Sequence, residues 1–260
     1  MLFVACYFSS WAFVMFLAWL RQQKTKKANH VDALWALGTG LTAIFVVLMS
    51  DEGNESRGFL LIGLACLWAF RLSWFLFKNR VFGSDSEDSR YADFRSKWGA
   101  EASRNFFILF QAQVLFMMLF SLPFFAAATN PESFPQWSDF VACAVWLLAV
   151  GGESLADHQL NRFIKNPANK GQLFKGGLWR YSRHPNYFFE WLHWFAYCFL
   201  AWGSDYFLLS FVGPIAMFIF LYKVTGIPII EKRSLEKRGE QYRQYQKETS
   251  GFIPWFPKKG

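Results

Sequence analysis

Apolar residues recur along this chain in seven long stretches, each close to the roughly 20 residues that an α-helix needs to cross a bilayer. The stretches cover residues 2–20, 31–50, 58–78, 106–128, 139–160, 186–203 and 205–227. Polar residues are concentrated between them, and only residues 203–205 separate the last two stretches. This pattern predicts an all-α integral membrane protein of about seven transmembrane helices, in which residues 1–260 form a single membrane domain. No basic residues precede the first stretch, so we expect it to be retained and not cleaved.

The composition agrees with a membrane protein. Aromatic residues make up 21% of the chain, including 32 Phe and 13 Trp, while only 18% of the residues are charged. A soluble domain of this length would carry more charge on its surface. The four Cys residues each lie inside an apolar stretch without a C-x-x-C motif. We therefore expect neither a disulfide framework nor a metal site.

The basic residues predict how the chain is oriented in the membrane. Of the 27 Lys and Arg residues, all but Arg57 and Arg71 lie in or beside four segments: 21–30, 79–105, 161–185 and 228–260. Basic residues favour the cytoplasmic side of a membrane, so we expect these segments and the C-terminus to be cytoplasmic. The net charge of +8 then indicates contact with anionic membrane lipids and does not call for nucleic acid.

The segment before the sixth stretch carries the strongest candidate chemistry. Arg183, His184, Asn186 and Glu190 lie at the start of an apolar helix, where buried polar groups are costly and usually functional. Pro185 suits the first turn of that helix, which would place Asn186, Glu190 and Trp194 on one face. A basic loop that meets a helix N-terminus is also a favourable site for an anion.

A second polar stripe ends the fifth stretch, with Glu153, Asp157 and Asn161 at spacings of four residues. Two like charges one turn apart repel each other, so they would be explained by a ligand whose hydroxyl or amide groups they bind. A purely structural role is the alternative. Asp32 is either a functional acid or an acid favoured by the helix dipole. Arg71 either binds a ligand or extends to the membrane interface.

Two further segments have simpler explanations. The residues at 38–43 match a G-x-G-x-x-A string, but they lie inside an apolar stretch without a βαβ unit. Small residues there more plausibly allow two membrane helices to pack closely. The amphipathic segment that follows Glu87 and Asp88 is expected to lie on the membrane surface.

Several motifs together resemble the steroid 5α-reductase family, and in particular its largely uncharacterised bacterial branch. The main one runs from Ala156-Asp157-His-Gln-Leu160 through Gly176-Gly-Leu-Trp-Arg-Tyr-Ser-Arg183-His184-Pro185-Asn186-Tyr187 to Glu190. The Glu87-Asp-Ser-Arg-Tyr91 loop and the Val31-Asp-x-x-Trp35 segment also resemble that branch. Sterol C14- and C7-reductases have similar Arg-His-Pro-Asn-Tyr strings, and isoprenylcysteine carboxyl methyltransferases share the Arg-His-Pro core.

The resemblance implies an enzyme that reduces an electron-poor C=C bond in a lipid-like substrate with NADPH. Residues 1–130 would supply the substrate-side helices, and 131–260 would bind the cofactor in a cavity open to the cytoplasm. Asn186 and Glu190 would bind the nicotinamide amide or ribose, and Asp157 a ribose hydroxyl. The full set of cofactor-binding candidates is Arg71, Arg90, Tyr91, Glu153, Asp157, Asn161, Lys165, Arg183, His184, Asn186, Tyr187, Glu190, Trp194 and Glu231. Of these, Arg71, Arg90, Lys165 and Arg183 would be the candidates for the phosphates.

The catalytic residues implied by the resemblance are Asp32 and Trp68. Asp32 stands where the steroid-reducing members have a Glu, and Trp68 lies near the place of their Tyr. A desolvated Asp32 packed against Trp35 and Trp68 would donate a hydrogen bond to the developing enolate oxygen of an enone. The membrane would be the bacterial inner membrane, or the endoplasmic reticulum in a eukaryote. Two alternatives are an S-adenosylmethionine-dependent lipid methyltransferase and a non-catalytic lipid-binding protein.

Overall fold

The computed structural model describes residues 2–83, 85–224 and 226–258, and these residues fold almost entirely into helices. The α-helices of the described residues are Leu2–Thr25 (α1), Val31–Leu48 (α2), Glu55–Leu76 (α3), Ser89–Trp98 (α4), Ala102–Ala128 (α5), Trp137–Lys165 (α6), Pro185–Leu200 (α7), Val212–Ile219 (α8), Ile227–Arg238 (α9) and Glu240–Glu248 (α10). A π turn, Phe77–Val81, continues α3, and a second π turn, Phe220–Val224, follows α8. The predicted all-α class is confirmed.

Six helical segments of the described chain are long and apolar enough to cross a membrane: Leu2–Thr25, Val31–Leu48, Glu55–Val81, Ser89–Ala128, Trp137–Lys165 and Phe207–Arg238. They identify an integral membrane protein. The sequence predicted seven such segments, and the difference lies in the stretch 186–203. The helix there, α7, has only 16 residues. At 1.5 Å per residue it is about 24 Å long, which is shorter than the hydrocarbon core of about 30 Å.

The chain divides into two compact units. The first comprises Met1–Phe134 and Gly203–Ser210, and the second comprises Pro135–Trp202 and Phe211–Gly260. Each unit has its own helix packing and its own set of buried polar residues.

In the first unit, α2 packs against α3 and α5, and α1 packs against α5. The contact between α2 and α3 depends on Gly40, because a Cβ atom at this position would lie 2.2 Å from Ala69 Cβ and 3.0 Å from the Ala65 carbonyl oxygen. The expectation that small residues of 38–43 allow close helix packing is confirmed. Large side chains fill the rest of the core, among them Trp68, Phe106, Phe110, Met117, Phe120 and Phe124.

In the second unit, α7 packs against α6 and α8. A capping box starts α6, where the backbone N–H of Gln136 donates to the Asp139 carboxylate over 2.9 Å. This pair satisfies backbone groups that the first helical turn leaves without an intrahelical partner. Pro185 occupies the first turn of α7, as predicted. The Pro185 ring fixes φ near its helical value. Proline also has no backbone N–H that would lack a partner in the first turn, so α7 begins at a defined residue.

Candidate functional site

A polar cluster surrounds Asp32 at the start of α2 in the first unit. The Asp32 carboxylate accepts hydrogen bonds from the Tyr91 hydroxyl (2.5 Å), from Arg90 Nη2 (2.7 Å) and from Arg80 Nη1 (3.4 Å). Its side chain is 25% exposed, whereas Tyr91 is buried. Three donors from α4 and from the π turn after α3 therefore converge on one carboxylate.

The loop between α3 and α4 is attached to the start of α2 by further polar contacts. Asn29 Nδ2 donates to the carbonyl oxygens of Arg80 (2.7 Å) and Ser86 (3.0 Å), and Asn29 Oδ1 accepts from the backbone N–H of Asp88 (2.6 Å). Asp88 caps α4, and its carboxylate pairs with Arg90 Nη2 over 3.1 Å. These bonds position Arg80 and Arg90 beside Asp32.

The environment of Asp32 corrects the expectation that it is a desolvated acid that donates a hydrogen bond. Two guanidinium groups and a phenol surround it, and each of them is a donor. In this geometry the Asp32 oxygens act as acceptors, because neither guanidinium can accept a hydrogen bond and the Tyr91 hydroxyl donates to Oδ1. The geometry supports a carboxylate that orients Tyr91 and Arg90.

Trp68 and Arg71 both lie on α3. Trp68 is fully buried, and its ring packs edge to face on Trp35 with ring centroids 6.3 Å apart. The guanidinium of Arg71 lies over the ring of Phe75, 5.5 Å from the centroid. Trp68 thus has the surroundings of a core aromatic residue, and its catalytic assignment stays a prediction.

In the second unit, the polar stripe of α6 faces the polar start of α7. Glu153, Asp157 and Glu190 are all buried, with exposed fractions of 5%, 6% and 7%. Asn186 Nδ2 donates to Asp157 Oδ1 over 3.2 Å and so links the two helices. The helices approach closely because Gly152 leaves room for the Phe189 ring, which would lie 2.5 Å from a Cβ atom there. The structure brings together residues that the sequence placed in two separate motifs.

The polar face of α7 extends beyond the residues that the sequence predicted for it. Trp194 Nε1 donates to Glu190 Oε1 over 3.3 Å, and His193 Nδ1 lies 3.9 Å from the same oxygen. His193 Nε2 is 3.0 Å from the Tyr197 hydroxyl, and both residues are fully buried. Their spacing in the sequence could have identified them. His193 and Tyr197 lie three and seven residues after Glu190, and residues at these spacings share one face of a helix.

Arg183, a predicted phosphate ligand, already has partners within the second unit. Its Nε and Nη2 lie 2.7 and 2.6 Å from Glu231 Oε1, and its Nη1 donates to the carbonyl oxygens of Thr249 (2.5 Å) and Gln246 (3.2 Å). Glu231 also accepts from Gln246 Nε2 over 2.9 Å. Both residues therefore connect the segment before α7 to the C-terminal helices.

The other candidates of the second unit differ in exposure. His184 is buried and stacks on the Tyr187 ring, with centroids 5.7 Å apart and planes at 16°. Burial lowers the pKa of His184, and this lowering outweighs the opposing effect of Glu231, whose Oε1 lies 3.3 Å from His184 Nε2. Asn161 is half-buried, and Lys165 is exposed at the end of α6.

Together the residues of the second unit form a buried face of carboxylate and amide groups. Such a face can accept hydrogen bonds from hydroxyl groups and exchange them with an amide. Among the described residues, no three His, Cys, Asp or Glu side chains are arranged to hold a metal ion.

Comparisons with known proteins place these residues in a wider context. Residues 18–249 match the family described as "Protein of unknown function (DUF1295)". A relative in Schizosaccharomyces pombe, "Uncharacterized protein C594.04c", is 29% identical over 261 residues, which cover 88% of this chain and 73% of the yeast protein. No solved structure matches significantly.

Proposed function

The chain belongs to the DUF1295 family, a steroid 5α-reductase-like family, and from this premise we propose that it is an NADPH-dependent reductase in the membrane. Its substrate would be an electron-poor C=C bond of the enone type, in a steroid-like or isoprenoid lipid. The buried polar face between α6 and α7 is the observation that carries this proposal.

Burial of this polar face supports a functional role for it. Glu153, Asp157 and Glu190 lie on helices that are mostly apolar, where a charged group is expensive to keep. Carboxylates of this kind suit the hydroxyl groups of a ribose, and the Asn186 amide suits a carboxamide. These carboxylate acceptors and the Asn186 amide therefore suit the nicotinamide–ribose end of the proposed cofactor.

The phosphates of NADPH require positive charge, and we assign them to exposed basic residues in preference to Arg183. Lys165 ends α6, and Lys170 and Arg180 follow it in the chain before α7. All three are exposed, so that they can turn toward an anion at little cost. Arg183, by contrast, would have to leave Glu231 and two backbone carbonyls to bind a phosphate.

When bound, the cofactor would supply a hydride to the β-carbon of the substrate. The protein's contribution at the acceptor would come from the Asp32 cluster of the first unit. The guanidinium groups of Arg80 and Arg90 can stabilise negative charge on a carbonyl oxygen. Asp32 would orient these donors, while the single proton of the Tyr91 hydroxyl is donated to Asp32.

An S-adenosylmethionine-dependent lipid methyltransferase is the second candidate. The three buried carboxylates favour it, because S-adenosylmethionine carries positive charges and has no phosphate. A non-catalytic lipid-binding protein is the third, and it would bind neither compound at this face.

Ligand-dependent stability distinguishes these candidates. A compound that binds only the folded protein raises its melting temperature. We expect NADPH to raise the melting temperature of the detergent-solubilised protein and S-adenosylmethionine to leave it unchanged. The reverse result would favour the methyltransferase, and no shift with either compound would favour the lipid-binding protein.

Three substitutions test the assignment of the residues. Glu190→Gln and Asn186→Ala should each weaken NADPH binding by about 5- to 150-fold, because each loses hydrogen bonds of roughly 1–3 kcal/mol. The matched variant Asp32→Asn should keep its NADPH affinity and lose turnover of an enone lipid. If Asp32→Asn loses the cofactor and Glu190→Gln retains it, the two assignments are reversed.

A further inference from the structure

The C-terminal residues of the second unit form a continuous set of contacts with the segment that leads into α7. We refer to residues 231–258 as the C-terminal strap and to residues 175–184 as the pre-α7 segment. The backbone N–H of Arg183 donates to the Ser250 carbonyl oxygen over 2.8 Å, and that of Trp255 donates to Tyr181 over 2.9 Å. The Ser182 hydroxyl donates to the Phe252 carbonyl oxygen over 2.8 Å. The strap therefore fixes the backbone of the pre-α7 segment.

Glu231 and Arg183 lie at the centre of these contacts. One Glu231 oxygen interacts with Arg183 and lies 3.3 Å from His184 Nε2, and the other accepts from Gln246. Arg183 in turn donates to the carbonyl oxygen of Thr249. The two charged side chains are only 11% and 16% exposed, so water competes weakly for their hydrogen bonds.

The pre-α7 segment transmits its position to the polar face of α7. The His184 backbone N–H donates to the Ser182 hydroxyl over 3.1 Å, and the His184 carbonyl oxygen accepts from the Phe188 N–H over 3.1 Å. The Pro185 ring restricts backbone rotation between His184 and the first turn of α7. The direction of the first turn of α7, and with it the Asn186–Asp157 hydrogen bond, therefore depends on where Ser182 and His184 are fixed.

We propose that Glu231 and Arg183 are positioning residues that hold the start of α7 in place through the C-terminal strap, and that neither contacts the cofactor. The structure thus assigns them a role different from the phosphate- and cofactor-binding roles expected from the sequence. An effect of Glu231 and Arg183 on cofactor binding rests on the proposed NADPH site. Their role in holding the start of α7 in place concerns this chain alone and can be tested without a ligand.

Hydrogen exchange tests the mechanical claim without any ligand. Glu231→Gln removes the charge that holds Arg183. The matched control, Glu248→Gln, removes a strap carboxylate that pairs with the partly exposed Lys175 over 3.1 Å and does not contact Arg183. We expect Glu231→Gln to speed amide exchange by about tenfold or more at residues 183–190, because local opening becomes easier there. Glu248→Gln should leave this exchange unchanged. Unchanged exchange at 183–190 in Glu231→Gln, or an equal change in both variants, would overturn the proposal.

If Glu231→Gln fails to fold, Gln246→Ala provides a milder test of the same contact. It removes one donor to Glu231 and leaves both charges in place. We expect faster exchange at residues 183–190 in this variant too, to a smaller extent. Wild-type exchange there would contradict the positioning role.

Nucleotide binding tests the functional consequence by a double-mutant cycle. Residues that act as one unit have non-additive effects, whereas two independent cofactor contacts have additive ones. We expect Arg183→Gln and Glu231→Gln each to weaken NADPH binding by about 5- to 150-fold, and the double variant to bind no more weakly than either. NADH affinity should fall by the same factor, since no 2′-phosphate contact is lost.

Three other results of the binding and exchange experiments would contradict part of the proposal. Additive losses, or a loss confined to NADPH, would show that Arg183 or Glu231 contacts the cofactor and would overturn the positioning role. If the wild-type protein binds neither nucleotide, the proposed reductase fails, and the exchange data still decide whether Glu231 orders the start of α7. Faster exchange at 183–190 with unchanged nucleotide affinity would overturn the link between the strap and the site.

Discussion

Asp88 shows how a single residue in the polar cluster of the first unit is stabilised in its charged form. Its carboxylate accepts from the backbone N–H of Arg90 over 2.9 Å and pairs with Arg80 over 3.3 Å. Burial raises the pKa of Asp88, but the Arg90 and Arg80 charges outweigh it and lower the pKa to about 2. Asp88 therefore belongs to a set of paired charges with Arg80 and Arg90.

The lowered pKa of Asp88 predicts a pH-dependent contribution to stability. Because the folded-state pKa of about 2 is below the usual value of 3.8 for an Asp carboxyl, the contribution to stability is fully present above about pH 4 and is lost as the pH falls through about 2. Its size is roughly 2 kcal/mol. We expect Asp88→Asn to lower the free energy of unfolding in detergent by about this amount at pH 7 and to have little effect near pH 2.

The control for this prediction is Asp85→Asn, a substitution at an exposed residue of the same loop. It should change the free energy of unfolding little at either pH. An acid dependence that is identical in the wild-type protein and in Asp88→Asn would show that Asp88 is not held as a charged group.

At the scale of helices, close approach depends on small residues at particular positions. Gly40 lies where α2 meets α3, with the backbone of Ala65 as one neighbour, so a side chain there cannot be accommodated by rotating a flexible partner. Gly63, on α3 itself, has no atom within 4 Å of a Cβ atom built on it. The same residue type therefore has different functions in two adjoining helices.

This difference predicts opposite effects of the same substitution. Gly40→Ala should lower the free energy of unfolding by about 1–3 kcal/mol, because it overpacks the α2–α3 contact. Gly63→Ala should raise it by up to about 1 kcal/mol, because Ala favours the helix and meets no neighbour. Chemical denaturation of both variants in the same detergent measures the difference. A stabilising Gly40→Ala would mean that α2 and α3 can separate without cost.

At the scale of the whole molecule, the short helix α7 bears on the membrane topology. Basic residues are abundant both before α7, in residues 161–185, and after α8, in residues 228–258. The positive-inside rule places both segments in the cytoplasm, which requires two crossings between them. We therefore still expect α7 to cross, although its 16 residues call for a locally thinner bilayer or for shielding by neighbouring helices.

This topology predicts the outcome of labelling from the two sides of the membrane. A reporter fused to the C-terminus should be active only in the cytoplasm, and a cysteine at the exposed Ser56 should react only with an external, impermeant reagent. If α7 did not cross, the C-terminal reporter would instead be external while Ser56 remained external. Native Cys6, Cys66 and Cys143 must be replaced first, because they are not fully buried.

The sequence alone determined the helical class, most helix positions and the chemistry of the candidate residues. Apolar stretches of membrane length predict helices, because in lipid the backbone N–H and C=O groups must form hydrogen bonds with one another. The four-residue spacing likewise placed Asn186, Glu190 and Trp194 on one face, since a helix repeats every 3.6 residues. These features follow from local rules that any short segment obeys.

Only the tertiary structure decided which polar groups are partners. Asp32 meets Tyr91 and Arg90 across 58 or 59 residues, and Arg183 meets Glu231 across 48. No local periodicity encodes such pairs, because they depend on how the helices and loops of each unit pack. A carboxylate read from the sequence could be a proton donor, a ligand for a cofactor or a partner for an arginine. The choice rests on the few donors that the fold brings within about 3 Å, where a hydrogen bond outweighs the cost of removing the carboxylate from water.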